Sequence, residues 1–421
     1  MRYVLLVLVA IILIGTGGFI WLAWHGAIPR IAPPGATRFQ AAAIEHGATL
    51  AALGNCVSCH TAPGGAPFAG GRALRTPFGT IYASNITPDP ATGIGAWPEA
   101  AFRRAMREGV DRVGQQLYPA FPYDHFAKVS AADDADLYAY LMTRQPVHAT
   151  NPPNQLPFPL GYRFLIAGWK LLFFRPAAFH PNPAQSAAWN RGAYLVQGLA
   201  HCGACHTPRN FLGAEESGHL LAGGEAQGWY AYALNDAAPA PVPWNADSLY
   251  TYLRQGWQVQ HGDALGPMRE VTDDLARAPD AELRAIASYI ASSLGKQAPR
   301  ATPTPIALPA GPGEALYRGA CAQCHEDSRG PPFAGIDLAR SSATHGSNPT
   351  NLANIITTGI PASGEEPEPI MPGFGAVMTD RQTTELIAYL RAHFGAPHPQ
   401  DGIVEAVQAA RSNAAQIEAA R

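Results

Sequence analysis

The chain has 421 residues, of which 47% are hydrophobic and only 14% are charged, enough apolar material for two or three packed domains. Glycine (42 residues) and proline (39) stay below the roughly 25–30% typical of low-complexity chains, so collagen, coiled coils and disordered tail proteins are excluded. The net charge of −3 offers no basic surface, and we expect no nucleic-acid partner.

The chain begins with an uncharged apolar segment, residues 3–24 (YVLLVLVAIILIGTGGFIWLAW). As a helix it would extend about 33 Å, enough to cross a bilayer core. The alternative is a cleaved signal peptide, whose apolar stretch is about 7–15 residues and ends in small residues. Here the segment is longer and ends in Trp21 and Trp24, which suit a membrane interface. We predict a single uncleaved anchor in the bacterial inner membrane, with everything after residue 30 in the periplasm.

All six cysteines fall in three Cys-x-x-Cys-His motifs, the attachment signature of c-type haem. Zinc binding and a thioredoxin-like redox pair are the alternatives. Histidine follows all three pairs although only 14 of 421 residues are histidine. A zinc site would also want four ligands, and the pairs are more than a hundred residues apart in the sequence. We therefore predict three covalently bound haem c groups, each with the motif histidine on its iron. The motifs are Cys56, Cys59 and His60; Cys202, Cys205 and His206; and Cys321, Cys324 and His325.

The sequence around the motifs repeats as well. The tetrapeptide Pro-Phe-Ala-Gly occurs at 67–70 and again at 332–335, and each unit ends in an amphipathic segment of helical period. We predict an all-α protein of three tandem cytochrome c-type domains with an N-terminal transmembrane helix. The apolar segment 160–174 contains two cations and predicts interdomain packing or an interfacial helix. The expected divisions are the anchor (3–24), domain one (36–148), a linker (149–187), domain two (188–297), a proline-rich linker (298–311), domain three (312–397) and a C-terminal tail (398–421).

A low-spin haem needs a sixth iron ligand, which in cytochromes c is usually methionine. In domain two a helical pattern ends at Gly256, and Met268 stands at the twelfth position after that glycine. In domain three a similar pattern ends at Gly359, and Met371 again stands at the twelfth position. The shared spacing predicts Met268 and Met371 as sixth ligands, whereas core methionines would not share it.

Domain one lacks this methionine. Phe121 stands at the twelfth position after the equivalent Gly109, and a phenyl ring cannot bind iron. His125, four residues further on, is the predicted substitute and would give this haem two histidine ligands. A five-coordinate or water-bound iron stays open as an alternative, as does another donor such as Met106, although Met106 and Met142 fit core positions better.

With these motifs the chain resembles the membrane-bound triheme cytochrome c subunits of bacterial periplasmic dehydrogenases that oxidise alcohols, aldehydes, gluconate or heteroaromatic acids. The resemblance covers residues from about 40 to 395 and is carried by TPFGTIYASNITPD, LYPAFPY, WNRGAYLVQGLAHCGACHTPRN, GPM at Met268 and MPGFG from Met371. Alcohol- and gluconate-oxidising members carry methionine at the position of Phe121. That departure, with PAFPYDHF and the APVPW ending at Trp244, makes the chain more similar to cytochromes paired with molybdenum-type aldehyde or heteroaromatic dehydrogenases.

The resemblance implies that this chain is no enzyme by itself but an electron-transfer subunit of an aldehyde or alcohol dehydrogenase complex. The implied partners are a catalytic subunit, a small subunit of molybdenum and iron–sulfur type, and ubiquinone or a terminal oxidase as acceptor. No dinucleotide-binding glycine motif, P-loop or nucleophile motif is present in the sequence. The alternatives are a peroxidase-type haem enzyme with an open first haem, and a cytochrome subunit of a terminal oxidase.

Overall fold

The computed structural model describes residues 2–295, 305–326, 335–360, 371–395 and 400–419. This part of the chain is mainly helical, with three short antiparallel hairpins that the sequence pattern did not predict. The chain divides into two compact units, Met1–Ala204 with Arg277–Pro279, and Cys205–Ala276 with Asp280–Arg421. The division falls inside the second Cys-x-x-Cys motif. Residues 298–304 of the proline-rich linker and 332–334 of the second tetrapeptide lie outside the described residues.

The first unit begins with an apolar helix. Among the described residues this is the one helix long and apolar enough to cross a membrane. The residues after it run along the first predicted domain, where Ile28 and Arg112 exchange hydrogen bonds of 2.9 Å. The elements of this unit are α1 (Arg2–Ala23), α2 (Ala41–Leu53), α3 (Cys56–Cys59), β1 (Ala73–Thr76), β2 (Gly79–Tyr82), α4 (Glu99–Glu108), α5 (Tyr123–Phe126), α6 (Ala131–Met142), α7 (Leu165–Phe173) and α8 (Ala187–Tyr194), followed by a π-helical turn (Leu195–Leu199).

The second unit continues from the helical turn that carries the second motif. Its hairpins precede and follow the helix before the predicted methionine ligand. The elements are α9 (Gly203–His206), β3 (Gly224–Ala226), β4 (Trp229–Ala231), α10 (Ala246–Gln255), β5 (Trp257–Gln258), β6 (Gly262–Asp263), α11 (Pro267–Leu275), α12 (Asp280–Ser293), α13 (Pro312–Ala320), α14 (Ala322–His325), α15 (Ser342–His345), α16 (Thr350–Thr358), α17 (Asp380–Phe394) and α18 (Ile403–Ala419).

The same helix crossing builds the first and third predicted domains. The helix before the motif packs against the closing helix, α2 on α6 and α13 on α17. A glycine stands at each crossing because the backbones approach closely: a Cβ at Gly47 would lie 2.0 Å from the carbonyl oxygen of Asp136, and one at Gly313 would lie 2.4 Å from that of Glu385. The closing helix α6 begins at Ser130, whose hydroxyl accepts the amide of Asp133 at 3.0 Å. These helix crossings hold in place the helices that precede the first and third motifs.

The C-terminal residues belong to a core rather than to an appended tail. Helix α18 packs on α16 and α17, and Val407 is fully buried together with Ile403. Burying these side chains removes apolar surface that the third predicted domain would otherwise expose. The described part of the predicted tail therefore completes the core around Leu386.

Candidate haem sites

The three motif histidines share one arrangement. Each ring approaches a backbone carbonyl through Nδ1, and because a carbonyl can only accept, Nδ1 must carry the proton. The lone pair is then on Nε2, the atom that would bind iron, and the hydrogen bond fixes the plane of the ring. The pairs are His60 with Ser84 O at 2.7 Å, His206 with Tyr232 O at 2.6 Å, and His325 with Ile336 O at 2.8 Å.

Burial favours the neutral form of two of these imidazoles. Desolvation lowers the pKa of His60, and the hydrogen bond to the Ser84 carbonyl offsets only part of the effect. Desolvation lowers the pKa of His206 in the same way against the bond to Tyr232. A lowered pKa keeps the ring neutral at physiological pH, which is the form that donates an electron pair to a metal.

After each motif the chain folds back and packs against the C-terminal end of the motif. In all three cases a glycine amide donates to a carbonyl at the end of the motif. In domain three the approach is close enough to require glycine, because a Cβ at Gly335 would lie 2.8 Å from Nδ1 and Cε1 of His325. Gly335 and Gly70 are the final residues of the repeated tetrapeptide. The amide bonds are Gly70 to His60 O (2.7 Å), Gly223 to His206 O (2.8 Å) and Gly335 to Cys324 O (3.0 Å).

The structure supports the equivalence of Phe121 and Met268. Both follow a helix that ends at a left-handed glycine, Gly109 (φ 61°) or Gly256 (φ 78°). In both, the amide eight residues after the glycine donates to the glycine carbonyl, and the residue in question stands four positions later. These hydrogen bonds are Leu117 to Gly109 and Ala264 to Gly256, each 2.7 Å. Domain one thus presents a phenyl ring at the position where domain two presents a thioether.

Met371 reaches its position differently. It pairs directly with Ile360 in an antiparallel bridge with N···O distances of 2.8 and 3.1 Å. In domain two the corresponding partner of Trp257 is Asp263, and Met268 comes five residues later. Met268 and Met371 therefore follow their glycines by the same number of residues but lie in different local structures. Both methionines are half-buried.

The alternative donors of domain one are all buried. His125 is 6% exposed, and its Nδ1 lies 2.8 Å from the carbonyl oxygen of Gln197, in the π-helical turn. The Phe121 ring packs on Phe126 with 5.1 Å between centroids. Met106 and Met142 are buried on the inner sides of α4 and α6, as expected of core residues.

The sequence did not reveal the carbonyls that accept from the histidines, because any residue can supply a backbone carbonyl. One signal could have identified two of them. Ser84 follows Tyr82-Ala83 at the end of β2, and Tyr232 follows Tyr230-Ala231 at the end of β4. The repeated Tyr-Ala pair thus marks the strand end that returns to the histidine.

These sites fit covalent haem c. All six cysteines are thiols outside disulfides, and in α3 the two of a motif lie on one helical turn. Each motif histidine has its Nδ1 held, and the chain packs against its ring or its backbone carbonyl. The donor set and the helix-rich scaffold define a c-type cytochrome.

Two family models match parts of the chain: cytochrome c over residues 44–145, and the model described as cytochrome c oxidase, cbb3-type, subunit III, over residues 309–390. Among curated proteins, a nicotinate dehydrogenase subunit of Pseudomonas putida is 46% identical over 94% of this chain, which spans only 34% of that protein's length. The gluconate 2-dehydrogenase cytochrome c subunit of Pantoea cypripedii is 36% identical, with 84% of this chain and 86% of that protein covered. The fructose dehydrogenase cytochrome subunit of Gluconobacter japonicus is 35% identical, with 84% and 79% covered.

The chain belongs to the family of cytochrome c subunits of membrane-associated dehydrogenases. It is an electron-transfer component of an oxidoreductase complex, as the sequence motifs predicted.

Proposed function

We propose that the chain carries three covalent haem c groups, one in each of three tandem domains (36–148, 188–297 and 312–397). The observation that carries this proposal is the arrangement shared by His60, His206 and His325, each with Nδ1 on a backbone carbonyl. Met268 and Met371 are the sixth ligands of the second and third haems. The thioethers raise the potentials of these two centres, because thioether ligation stabilises ferrous iron.

His125 is the proposed sixth ligand of the first haem. Its support is burial and the hydrogen bond from Nδ1 to Gln197, the same arrangement that orients the motif histidines. An open first haem would instead make the protein a peroxidase-type enzyme. Carbon monoxide separates the two: with all irons saturated, the reduced Soret band stays almost unchanged, whereas stoichiometric binding at one haem refutes His125 ligation.

When bound, each haem supplies a one-electron redox centre, and the protein arranges the order of the centres. Within the first unit the segments flanking the first two motifs touch. His201, which precedes Cys202, lies with Nε2 3.2 Å from the carbonyl oxygen of Gly54, two residues before Cys56.

Within the second unit, the strand that precedes the His206 acceptor is bound to domain three. The amide of Tyr230 donates to Oδ1 of Asn351 at 2.9 Å, and Nδ2 of Asn351 donates back to the carbonyl of Tyr230 at 2.8 Å. Asn354 also donates to the carbonyl of Gly228 at 2.8 Å. Paired amide bonds of this kind fix β4 against α16, which supports a close approach of the second and third haems.

Helix α1 is proposed as a single anchor in the inner membrane, with the haem domains in the periplasm. Its support is the apolar helix Arg2–Ala23, whose only charged residue is Arg2 at its first position. The docking of Ile28 onto Arg112 joins this anchor to the first domain without a flexible spacer.

The proposed electron source is a separate catalytic subunit that oxidises an aldehyde, an alcohol or a heteroaromatic acid, with a small molybdenum and iron–sulfur type subunit between. The relative from a nicotinate dehydrogenase favours a heteroaromatic acid. Electrons leave to ubiquinone or a terminal oxidase. Purification of the tagged chain from detergent-solubilised membranes tests this. The expected co-purifying proteins are a molybdenum and iron–sulfur pair. A quinoprotein or flavoprotein would show that the catalytic partner is of another type. A haem–copper core would refute the dehydrogenase assignment.

A further inference from the structure

Residues 158–172 of the first unit, which we call the apolar segment, expose an unusual set of side chains. Six large apolar or aromatic residues of this short segment face outward. Single exposed apolar residues are common on soluble proteins, but contiguous groups mark an interaction surface. The exposed fractions are Phe158 85%, Leu160 37%, Tyr162 53%, Phe164 50%, Leu171 58% and Leu172 63%.

The two basic side chains of the apolar segment both bind protein groups. Arg163, whose side chain is 38% exposed, lies 3.6 Å from the carboxylate of Asp111. Lys170 donates to the carbonyl oxygen of Gly109 at 2.8 Å and to Oε1 of Gln116 at 2.6 Å. On a water-facing surface the lysine would point outward and the large apolar groups inward. In the apolar segment the lysine points inward and the large apolar groups point outward.

The apolar segment also contacts the proposed membrane anchor. Helix α7 packs against α1, and the rings of Phe19 and Phe164 meet edge to face with 6.3 Å between centroids. A Cβ at Gly168 would lie 3.5 Å from the Phe19 ring. Phe19 is four residues before the end of α1 at Ala23, which is about 6 Å along the helix axis. The contact therefore lies beside the last turn of the anchor, at the depth where headgroups meet acyl chains.

We propose that the apolar segment lies in the periplasmic interface of the bilayer beside α1 and is a second membrane contact of this protein. The inference rests on the proposed function in one respect, that α1 spans the membrane. A bilayer rather than a partner protein is the occupant because the segment touches the spanning helix within its final turns. Aromatic and aliphatic side chains are also the groups that partition into this region.

This contact would hold the first haem domain at a fixed height and orientation. Lys170 connects α7 to Gly109, the residue that ends α4 and begins the loop to Phe121. A rigid connection from lipid through α7 to this loop would set the distance of the first domain from the membrane surface.

The chain offers a clean experiment, because its six cysteines all belong to Cys-x-x-Cys-His motifs. Labelling of the unsubstituted protein, run in parallel, shows directly that none of the six takes up the label. A single introduced cysteine can therefore be spin-labelled in the full-length protein in lipid nanodiscs. Collisions of the label with oxygen, which concentrates in lipid, are compared with collisions with a water-soluble nickel complex. The test variants are Phe158→Cys and Leu172→Cys, the anchor control is Leu13→Cys, and Phe211→Cys, exposed on the second unit, is the aqueous control.

We expect the oxygen-to-nickel collision ratio at 158 and 172 to exceed that at 211 several-fold and to stay below that at 13. An unchanged haem spectrum shows that each variant is folded. Aqueous ratios at 158 and 172 with a bilayer ratio at 13 overturn this inference and leave the anchor intact. An aqueous ratio at 13 refutes the anchor itself. Low collision with both reagents at 158 and 172 means that protein covers the apolar segment, which also overturns the bilayer contact.

Discussion

Replacing Gly359 by alanine is expected to displace Met371 from the third haem. Gly359 ends α16 with φ 73° and ψ −170°, a conformation almost restricted to glycine, so alanine costs about 1–3 kcal/mol in backbone strain alone. The new Cβ would lie 2.4 Å from the carbonyl oxygen of Met371 and 2.5 Å from the amide nitrogen of Gly373. Both are backbone atoms, so the segment carrying Met371 must move.

Gly256 is the matched control. It ends α10 in the left-handed region (φ 78°, ψ 0°), where alanine costs roughly 1–2 kcal/mol. Its Cβ would meet only the side chain of Thr272, with Oγ1 at 3.2 Å and Cβ at 3.9 Å, and a shift of a few tenths of an ångström relieves the closer contact. Gly256→Ala should therefore lower the free energy of unfolding while leaving Met268 in place.

The assay is the near-infrared charge-transfer band of methionine-bound ferric haem, read with a redox titration. In Gly359→Ala the band should fall by about half, since one of two thioether ligands is lost, and one midpoint potential should drop. In Gly256→Ala the charge-transfer band and the midpoint potentials should be retained. A full band and unchanged potentials in Gly359→Ala would refute the assignment of Met371.

Three further outcomes are expected. Met268→Ala should convert one haem to high spin and remove part of the same band, whereas Met142→Ala, a core substitution, should cost about 2–5 kcal/mol of stability and leave the band intact. Phe121→Met combined with His125→Ala should raise the lowest midpoint potential. Low-temperature EPR of the wild type should show a bis-histidine signal, and the absence of that signal would remove His125 from the ligand set. Replacing residues 1–28 with a cleavable signal should give an exported protein with its full haem content, and an exported product lacking haem would contradict independent haem domains.

The sequence motifs single out the three histidines because covalent attachment demands fixed residue types at fixed spacing, and their role as iron ligands stays a prediction. The equivalence of Phe121 and Met268 was also accessible, since both follow a helix-ending glycine by the same number of residues. The same count applied to Met371 did not predict its local structure. A bridge to Ile360 replaces the hairpin of domain two there, and residue counts carry no information on strand pairing.

Two other features depend on tertiary structure and were out of reach of the sequence pattern. The acceptor carbonyls of Ser84 and Tyr232 are backbone groups, so only the folded hairpin brings them to the histidines. The segment 160–174 predicted either packing or an interfacial helix. Its two basic residues decided against a simple apolar span, but their partners, Asp111 for Arg163 and Gln116 for Lys170, follow only from the fold.

The central claim is that all three motifs hold covalent haem. Intact mass spectrometry of the denatured, membrane-purified chain measures this directly, because thioether-linked haem stays attached when the protein unfolds. The account predicts a single species carrying three haems, and two haems after Cys321→Ala with Cys324→Ala. A wild-type chain carrying only two haems would contradict it.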